Sequence, residues 1–353
     1  MNDMEQQATP YPPKISVIIP IHNGEEYIEN CIDSILDQTI QCHEIICIDD
    51  GSTDSTAQIL KNLSDKHKIL KIITQKQSFA GIARNVGIEN SSGEYLTFID
   101  CDDVFERNAL EIMMNLSLEH DADVVRASAR TMDDKKEIIN WSLNRDYVRD
   151  GEIFNWHERP KDVFCISSGN PWGMLVKKDL VMKNNIRFLD TANTEDIGFT
   201  YLAYLHANKI VTTYETVILH RFSKQGLECM KIKFPEAPYE ARCKLLNIIK
   251  ERGFYEETAY GFWIAAIRSY YLMLKDLTDR TWDYKSIRTY YDAIQESATI
   301  QHDFYKDILQ HPPDLLKDVC DGIEYVLKSK NVYAYIIMKK IHNGVCKMYS
   351  LIP

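Results

Sequence analysis

EYLTFIDCDD, residues 94–103, joins a short apolar run, Tyr95 to Ile99, to the acids Asp100, Asp102 and Asp103. A run of that length, rich in aromatic and β-branched residues and stopped abruptly, predicts a buried strand. The same arrangement stands upstream in EIICIDDG, residues 44–51, where Ile45 to Ile48 end on Asp49 and Asp50. Further out, Ile15 to Ile19 and Ile69 to Ile73 predict two more strands. Between them Tyr27/Ile28, Cys31/Ile32 and Ile35/Leu36, then Ile59, Leu60 and Leu63, recur at helical spacing. Ser52, Thr53 and Asp54 offer helix-capping chemistry, and a third helix is expected around Ile82 to Ile88. Strand, helix, strand, helix at this interval means right-handed βαβ units and a mainly parallel sheet flanked by helices. Residues 14–115 are therefore an α/β unit of the nucleotide-binding type.

The two acidic clusters follow strand ends, and ligands of open parallel sheets bind there, near the point where strand order reverses. Both clusters are expected to face one crevice. Carboxylates brought together raise one another's pKa unless a cation intervenes. A hard divalent ion, Mg²⁺ or Mn²⁺, held by one or two carboxylates plus phosphate oxygens resolves that conflict and offsets charge on a diphosphate leaving group. Acids after strands are also ordinary turn formers, which is the reading for Asp54 and Asp65. Asp100, Asp102 and Asp103 are too costly together for that.

Composition narrows the classes. The 353 residues suffice for about two domains, and 45% hydrophobic residues can build a sizeable core. A formal net charge of -11 argues against nucleic acid as a partner. Nine cysteines at irregular spacing, with no CxxC, fit free thiols in a reducing, cytoplasmic setting. MNDMEQQATPYPP at the N-terminus has no signal-peptide pattern, and no apolar run approaches the ~20 residues of a membrane span.

Three blocks in order, KISVIIPIHNGEEYIENCIDSILDQT, EIICIDDGSTDST and ARNVGIENSSGEYLTFIDCDD, resemble glycosyltransferase family 2 over about the first third of the chain. The resemblance implies the GT-A fold and a bacterial type of glycan or polysaccharide synthesis. It implies transfer from a nucleotide-diphosphate sugar, a UDP-sugar, to a glycan or lipid-linked acceptor with inversion at the anomeric carbon. Pro20 and its loop then approach the base, and Asp50 hydrogen-bonds it. Arg84 borders the nucleotide, Asp100 lies near ribose and sugar, and Asp102 binds the metal. Asp103 contacts the sugar or supports the pair from behind. The family often carries glycine about five residues before the arginine. Phe79 stands there, and Gly81 is expected to supply the backbone freedom instead.

Further along, NTEDIGFTYLAYLHANKI resembles the family's Glu-Asp motif at a helix start. Inversion needs a base opposite the leaving group, and Asp196 matches it, with Glu195 contacting acceptor or orienting the base. An acid pair favoured by the helix dipole is the bland alternative. Trp172, in NPWGMLVKKDLV, stands where an acceptor sugar could stack or a core could pack. In LHRFSKQG, which resembles the segment that closes over the donor, the resemblance places His220 and Arg221 at the diphosphate; a surface loop after a strand is the equal alternative.

The expected division is a transferase unit at 14–225, with a nucleotide half at 14–115 and an acceptor half at 116–225, and a helical C-terminal region at 236–353. After Glu324 the chain carries Lys328, Lys330, Lys339, Lys340 and Lys347 and no acid. An amphipathic basic tail suits peripheral docking on an anionic membrane, and equally a helix packed with its lysines in solvent. Two other functions fit the fold class. A non-catalytic sugar- or nucleotide-binding module would not need the clustered acids. A nucleotide-sugar pyrophosphorylase wants a basic, glycine-rich loop after its first strand, where IHNGEEY is acidic. A dehydrogenase would need GxGxxG there.

Overall fold

The computed structural model describes residues 14–132, 138–141, 143–221, 233–280, 284–300 and 320–329. Strands β1 (Ile15–Ile21), β2 (Glu44–Asp49), β3 (Leu70–Thr74) and β4 (Tyr95–Phe98) are linked by helices α1 (Ile28–Leu36), α2 (Thr56–Lys66) and α3 (Ala80–Asn90). All pair in parallel in the order β3-β2-β1-β4, so strand order reverses between β1 and β4. That reversal opens a crevice at their carboxyl ends. Pairing with β4 stops at Ile18, so Pro20, which has no N–H to give, lies past the last β4 pair.

Beyond β4 the sheet becomes mixed. The elements are β5 (Val104–Phe105), α4 (Ala109–His120), β6 (Val124–Met132), β7 (Ile138–Trp141), β8 (Ile153–Phe154), β9 (Met174–Lys177), α5 (Lys178–Lys183), α6 (Asp196–His206) and β10 (Ile210–Arg221). Strand β9 runs antiparallel to both β4 and β6, β10 runs parallel to β6, and β5 returns antiparallel along β10. The parallel reading thus holds for the first four strands. The remaining pairs are mostly antiparallel, an arrangement that needs no helical crossover between neighbours.

Because side chains alternate across a strand, the sheet sorts its apolar residues onto two faces. Ile15, Val17, Ile19 and Ile21 pack with α1, α2 and α4, while Ile18, Ile46, Ile48 and Phe98 pack with α3 and α6. The C-terminal helices α7 (Ala237–Glu251), α8 (Tyr255–Arg280), α9 (Tyr284–Ile300) and α10 (Cys320–Lys328) are helical as expected. They are no appendage: Leu245, Phe262, Tyr270, Leu274 and Tyr290 share the core of Ile18, Phe98 and α6. Among the described residues no helix is long and apolar enough to cross a membrane. The basic tail lies outside the described residues, apart from Lys328, whose Nζ meets Glu324 at 2.5 Å.

Glu44 is a residue the sequence did not advertise. It is 1% exposed at the start of β2. Its carboxylate accepts from Ser16 Oγ at 2.6 Å, Ser92 N at 2.5 Å and Lys71 Nζ at 2.5 Å, tying β1, β2, β3 and the α3–β4 turn together. Burial pushes its carboxyl up, but the bonds from Lys71, Ser16 and Ser92 outweigh that and hold it at about 2. A carboxyl depressed below its unfolded pKa of ~4.3 adds stability that is fully present above that value and lost as pH falls through the folded one. Glu44→Gln is therefore expected to cost about 2–3 kcal/mol in urea unfolding at pH 7. The gap to the parent should close between pH ~4.5 and ~2; a gap that stays constant over that range would show that shape, not charge, is what matters.

Candidate active site

One cavity of about 1180 Å³ opens at the β1/β4 reversal, and Pro20, Asp50, Arg84, Asp100, Asp102, Trp172, Glu195, Asp196, His220 and Arg221 all line it. Every sequence-predicted site residue except Asp103 is therefore gathered at one place. The acidic clusters do not arrive intact, because Asp49 is 3% exposed and caps the turn by accepting from Ser52 N at 2.9 Å.

Asp50 is 4% exposed, and its carboxylate is taken. Ser78 N donates to it at 2.9 Å, Phe79 N at 3.0 Å, Gln75 Nε2 at 2.7 Å and Ser78 Oγ at 3.1 Å. A carboxylate has about four lone-pair sites, and these donors use them to build the loop between β3 and α3. That loop carries a strained residue. Phe79 has φ 77° and ψ 157°, a region nearly reserved for glycine. Gly81 therefore does not take over the missing glycine's freedom; Phe79 adopts the conformation itself, fixed by Asp50 and by an edge contact to Phe234 at 5.4 Å. Gly81 is needed for closeness, since a Cβ there would lie 2.7 Å from Glu195 Cγ and from Leu189 O.

Arg84 is 5% exposed and bridges two acids, donating from Nη2 to Asp100 at 2.6 Å and from Nη1 to Glu195 at 2.8 Å. Burial alone would lower its pKa, but Asp100 and Glu195 outweigh it and keep the guanidinium charged. The arginine thus ties α3, the end of β4 and the start of α6 together, and Glu195 is a positioning partner of that tie.

Asp102 is half-buried at the cavity wall. Burial, then the charges of Asp100 and Asp103, push its carboxyl up to about 6. Among the described residues no cation pairs with it. Asp103 sits behind the wall, 1% exposed, with both carboxylate oxygens 2.9 Å from His220 Nδ1 and one accepting from Arg221 N at 2.8 Å. Of its two expected roles, this placement suits support from behind the pair, through a hold on His220. Burial would lower the His220 pKa, but the bond to Asp103 raises it further, favouring imidazolium. Trp172 is 5% exposed and spends one face stacking on His220, with centroids 5.0 Å apart and planes at 17°. The core reading of Trp172 accounts for that face. Arg221 reaches back to Asp102 O at 3.3 Å and lies over the Tyr27 ring at 5.0 Å.

Asp196 opens α6 and is half-buried. Burial, with Glu195 next to it, pushes its carboxyl up to about 7, against the pull of Arg84. Among the described residues no other residue donates to this carboxylate. An acid poised near neutrality and free to accept a proton is what a general base requires.

Some functional residues escaped the sequence reading. Arg126 is fully buried, and its guanidinium holds Asn170 O at 2.8 Å, Trp172 O at 2.9 Å and Asn170 Oδ1. The signal was present, because a lone arginine interrupts the apolar strand VVRAS. His22, Gln77 and the wall formed by α7 and α8 gave no such sign.

The Asp102 surroundings fit a divalent cation. Two carboxylates crowd a third that has no ion pair among the described residues, and the donors are hard oxygens. Among the described residues no group of three His, Cys, Asp or Glu could hold an ion alone, so the protein would supply one or two ligands and the diphosphate the rest.

Comparison with known proteins agrees with this fold. The model of Glycosyl transferase family 2 matches residues 16–175. Glycosyltransferase GlyG of Streptococcus pneumoniae is 31% identical over 213 residues, 59% of this chain and 70% of that protein. The poly(ribitol-phosphate) beta-glucosyltransferase of Bacillus spizizenii is 31% identical over 67% of this chain. The chain spans 37% of that protein's length, and between 35% and 55% of two other curated relatives. The crystal structure of S. aureus TarS 1–349 with UDP-GlcNAc superposes with a TM-score of 0.66 over 94% of this chain and 92% of that one, at 19% identity. At that identity the likeness speaks for the fold.

Proposed function

The chain belongs to glycosyltransferase family 2, and from that premise we propose that it transfers a sugar, with inversion, from a UDP-sugar to a hydroxyl of a glycan or lipid-linked acceptor. The nucleotide lies against Pro20, His22 and the loop that Asp50 holds. Asp102, helped by Asp100, holds Mg²⁺ or Mn²⁺, which when bound offsets the charge gathering on the diphosphate. His220, whose pKa Asp103 raises, and Arg221 add positive charge at the same oxygens. Asp196 accepts the acceptor's hydroxyl proton as that oxygen attacks the anomeric carbon. The bond from that carbon to the diphosphate oxygen breaks, and the nucleoside diphosphate leaves with the bonding pair. Arg84, through Glu195, fixes the start of α6 and so the place of Asp196.

The observation that carries this reading is one cavity shared by Asp102, a carboxylate with no ion pair among the described residues, and an acid near neutrality, Asp196. The family's fold and the UDP-GlcNAc held by TarS support the choice of donor. The thiols of Cys31, Cys42, Cys47, Cys101, Cys165 and Cys243 are unpaired, which supports work in the reducing cytoplasm. A panel of nucleotide sugars with Mn²⁺ tests the proposal. One UDP-sugar should raise the melting temperature and be slowly hydrolysed to UDP in a metal-dependent way, and a panel in which none does either would refute it.

A further inference from the structure

The residues just assigned to the donor occupy only part of the cavity. Its volume of about 1180 Å³ exceeds the ~300–1,000 Å³ of a usual small-molecule site. The surplus is walled by α7, α8 and residues 143–168, and there the chemistry changes. Arg242 from α7 and Arg268 from α8 line it, with Ser269, and among the described residues they face one acid there, Asp146. Two guanidiniums on one wall stand out in a chain of net charge -11. Arg242 donates to Pro238 O at 3.3 Å and lies 6.0 Å from the Tyr270 ring; among the described residues no carboxylate pairs with it. Lys233 is not counted with them, because its neighbour Phe234 packs on Phe79 of the donor loop.

Two observations connect this wall to the chemistry. Tyr201, five positions along α6 from Asp196, is 6% exposed and feels the charges of both Arg242 and Asp196. Asp196 lines the same cavity as Arg242 and Arg268. Asn170, also on the cavity, is 6% exposed, and Arg126 can only donate, so it fixes the amide with Oδ1 inward. The Nδ2 is left buried with no acceptor. A buried donor without a partner costs about 1–3 kcal/mol unless a ligand supplies an oxygen.

We propose that this wall is an acceptor subsite for an anionic group: the hydroxyl presented to Asp196 belongs to a molecule that also carries a phosphate or carboxylate, gripped by Arg242 and Arg268, with Asn170 Nδ2 donating to one of its oxygens. Guanidinium forks match both anions bidentately. The assignment rests on the transferase reading for the word acceptor, but the anion site itself does not.

The full chain, with UDP and Mn²⁺ present, is titrated with glycerol 3-phosphate and glucuronate and with their neutral counterparts glycerol and glucose. At least one anion should bind about tenfold tighter than its neutral counterpart, and which one does so separates phosphate from carboxylate. Arg242→Gln/Arg268→Gln should erase the preference, the doubly Lys-substituted chain should retain part of it, and UDP affinity should stay within about twofold. Anions that bind no better than the neutral probes, or a Gln double variant that keeps the preference, would overturn the proposal. So would a parallel fall in UDP affinity, which would assign the two arginines to the donor. A parent chain that takes the anion but not UDP would uphold this site and sink the transferase reading.

Discussion

Asp196→Asn is expected to bind the UDP-sugar as tightly as the parent and to transfer it about 10²–10⁴-fold more slowly, equivalent to about 3–5 kcal/mol of barrier. The amide keeps the size of the carboxylate and its place at the start of α6, so donor contacts should be untouched while the proton acceptor is lost. The pH profile gives a second readout. Burial and Glu195 hold the Asp196 carboxyl up at about 7, and only the deprotonated form can act as base. The parent's transfer rate should therefore fall as pH drops through about 7, and the residual rate of the variant should lack that limb. Normal turnover in Asp196→Asn would remove the base from this residue.

Asp102→Asn should lose metal-dependent donor binding and slow turnover by about 10²–10³-fold, the few kcal/mol that charge offset at a diphosphate supplies. In the parent, Mn²⁺ with UDP should raise the melting temperature, and in the variant it should not. Without metal the effect should reverse in sign. The parent's carboxyl is pushed up to about 6 by burial and by Asp100 and Asp103, so its charged form weakens the fold. That penalty is absent below the unfolded pKa and fully present once pH has passed the folded one. The metal-free variant should consequently be more stable than the metal-free parent at pH 8 and no more stable at pH 4. A variant that still answers to Mn²⁺ and UDP would move the metal elsewhere.

The residues whose places are set by chain direction were legible in advance. Asp100 and Asp102 follow β4 and Asp50 follows β2, and in a parallel sheet those ends converge by topology; Asp196 reaches the same cavity from the start of α6, beyond the antiparallel β9. What each side chain does once there was harder to read, because it depends on partners distant in the chain. Asp50 looked free to meet a base, yet its carboxylate also holds the loop around Ser78. Arg84 looked like a nucleotide contact, yet Glu195, more than a hundred positions away, shares it with Asp100. Asp103, the third acid of its cluster, turned inward to His220. The α7–α8 wall was illegible for a different reason. Periodicity tells which stripe of a helix is apolar, but the angle at which the helix docks decides which residues beside that stripe, such as Arg242 or Arg268, see the cavity.

The unbroken core between the sheet and the C-terminal helices has a practical consequence for anyone wishing to cut this protein. A truncation at residue 225 looks natural on paper, yet it would strip cover from Phe199, Leu202 and Tyr204, all within 1% of complete burial. The remainder would keep its acids and lose its solubility. Exchanging acceptor preference between relatives by swapping whole segments would meet the same difficulty, because a foreign set of helices must first fit the greasy side of this sheet.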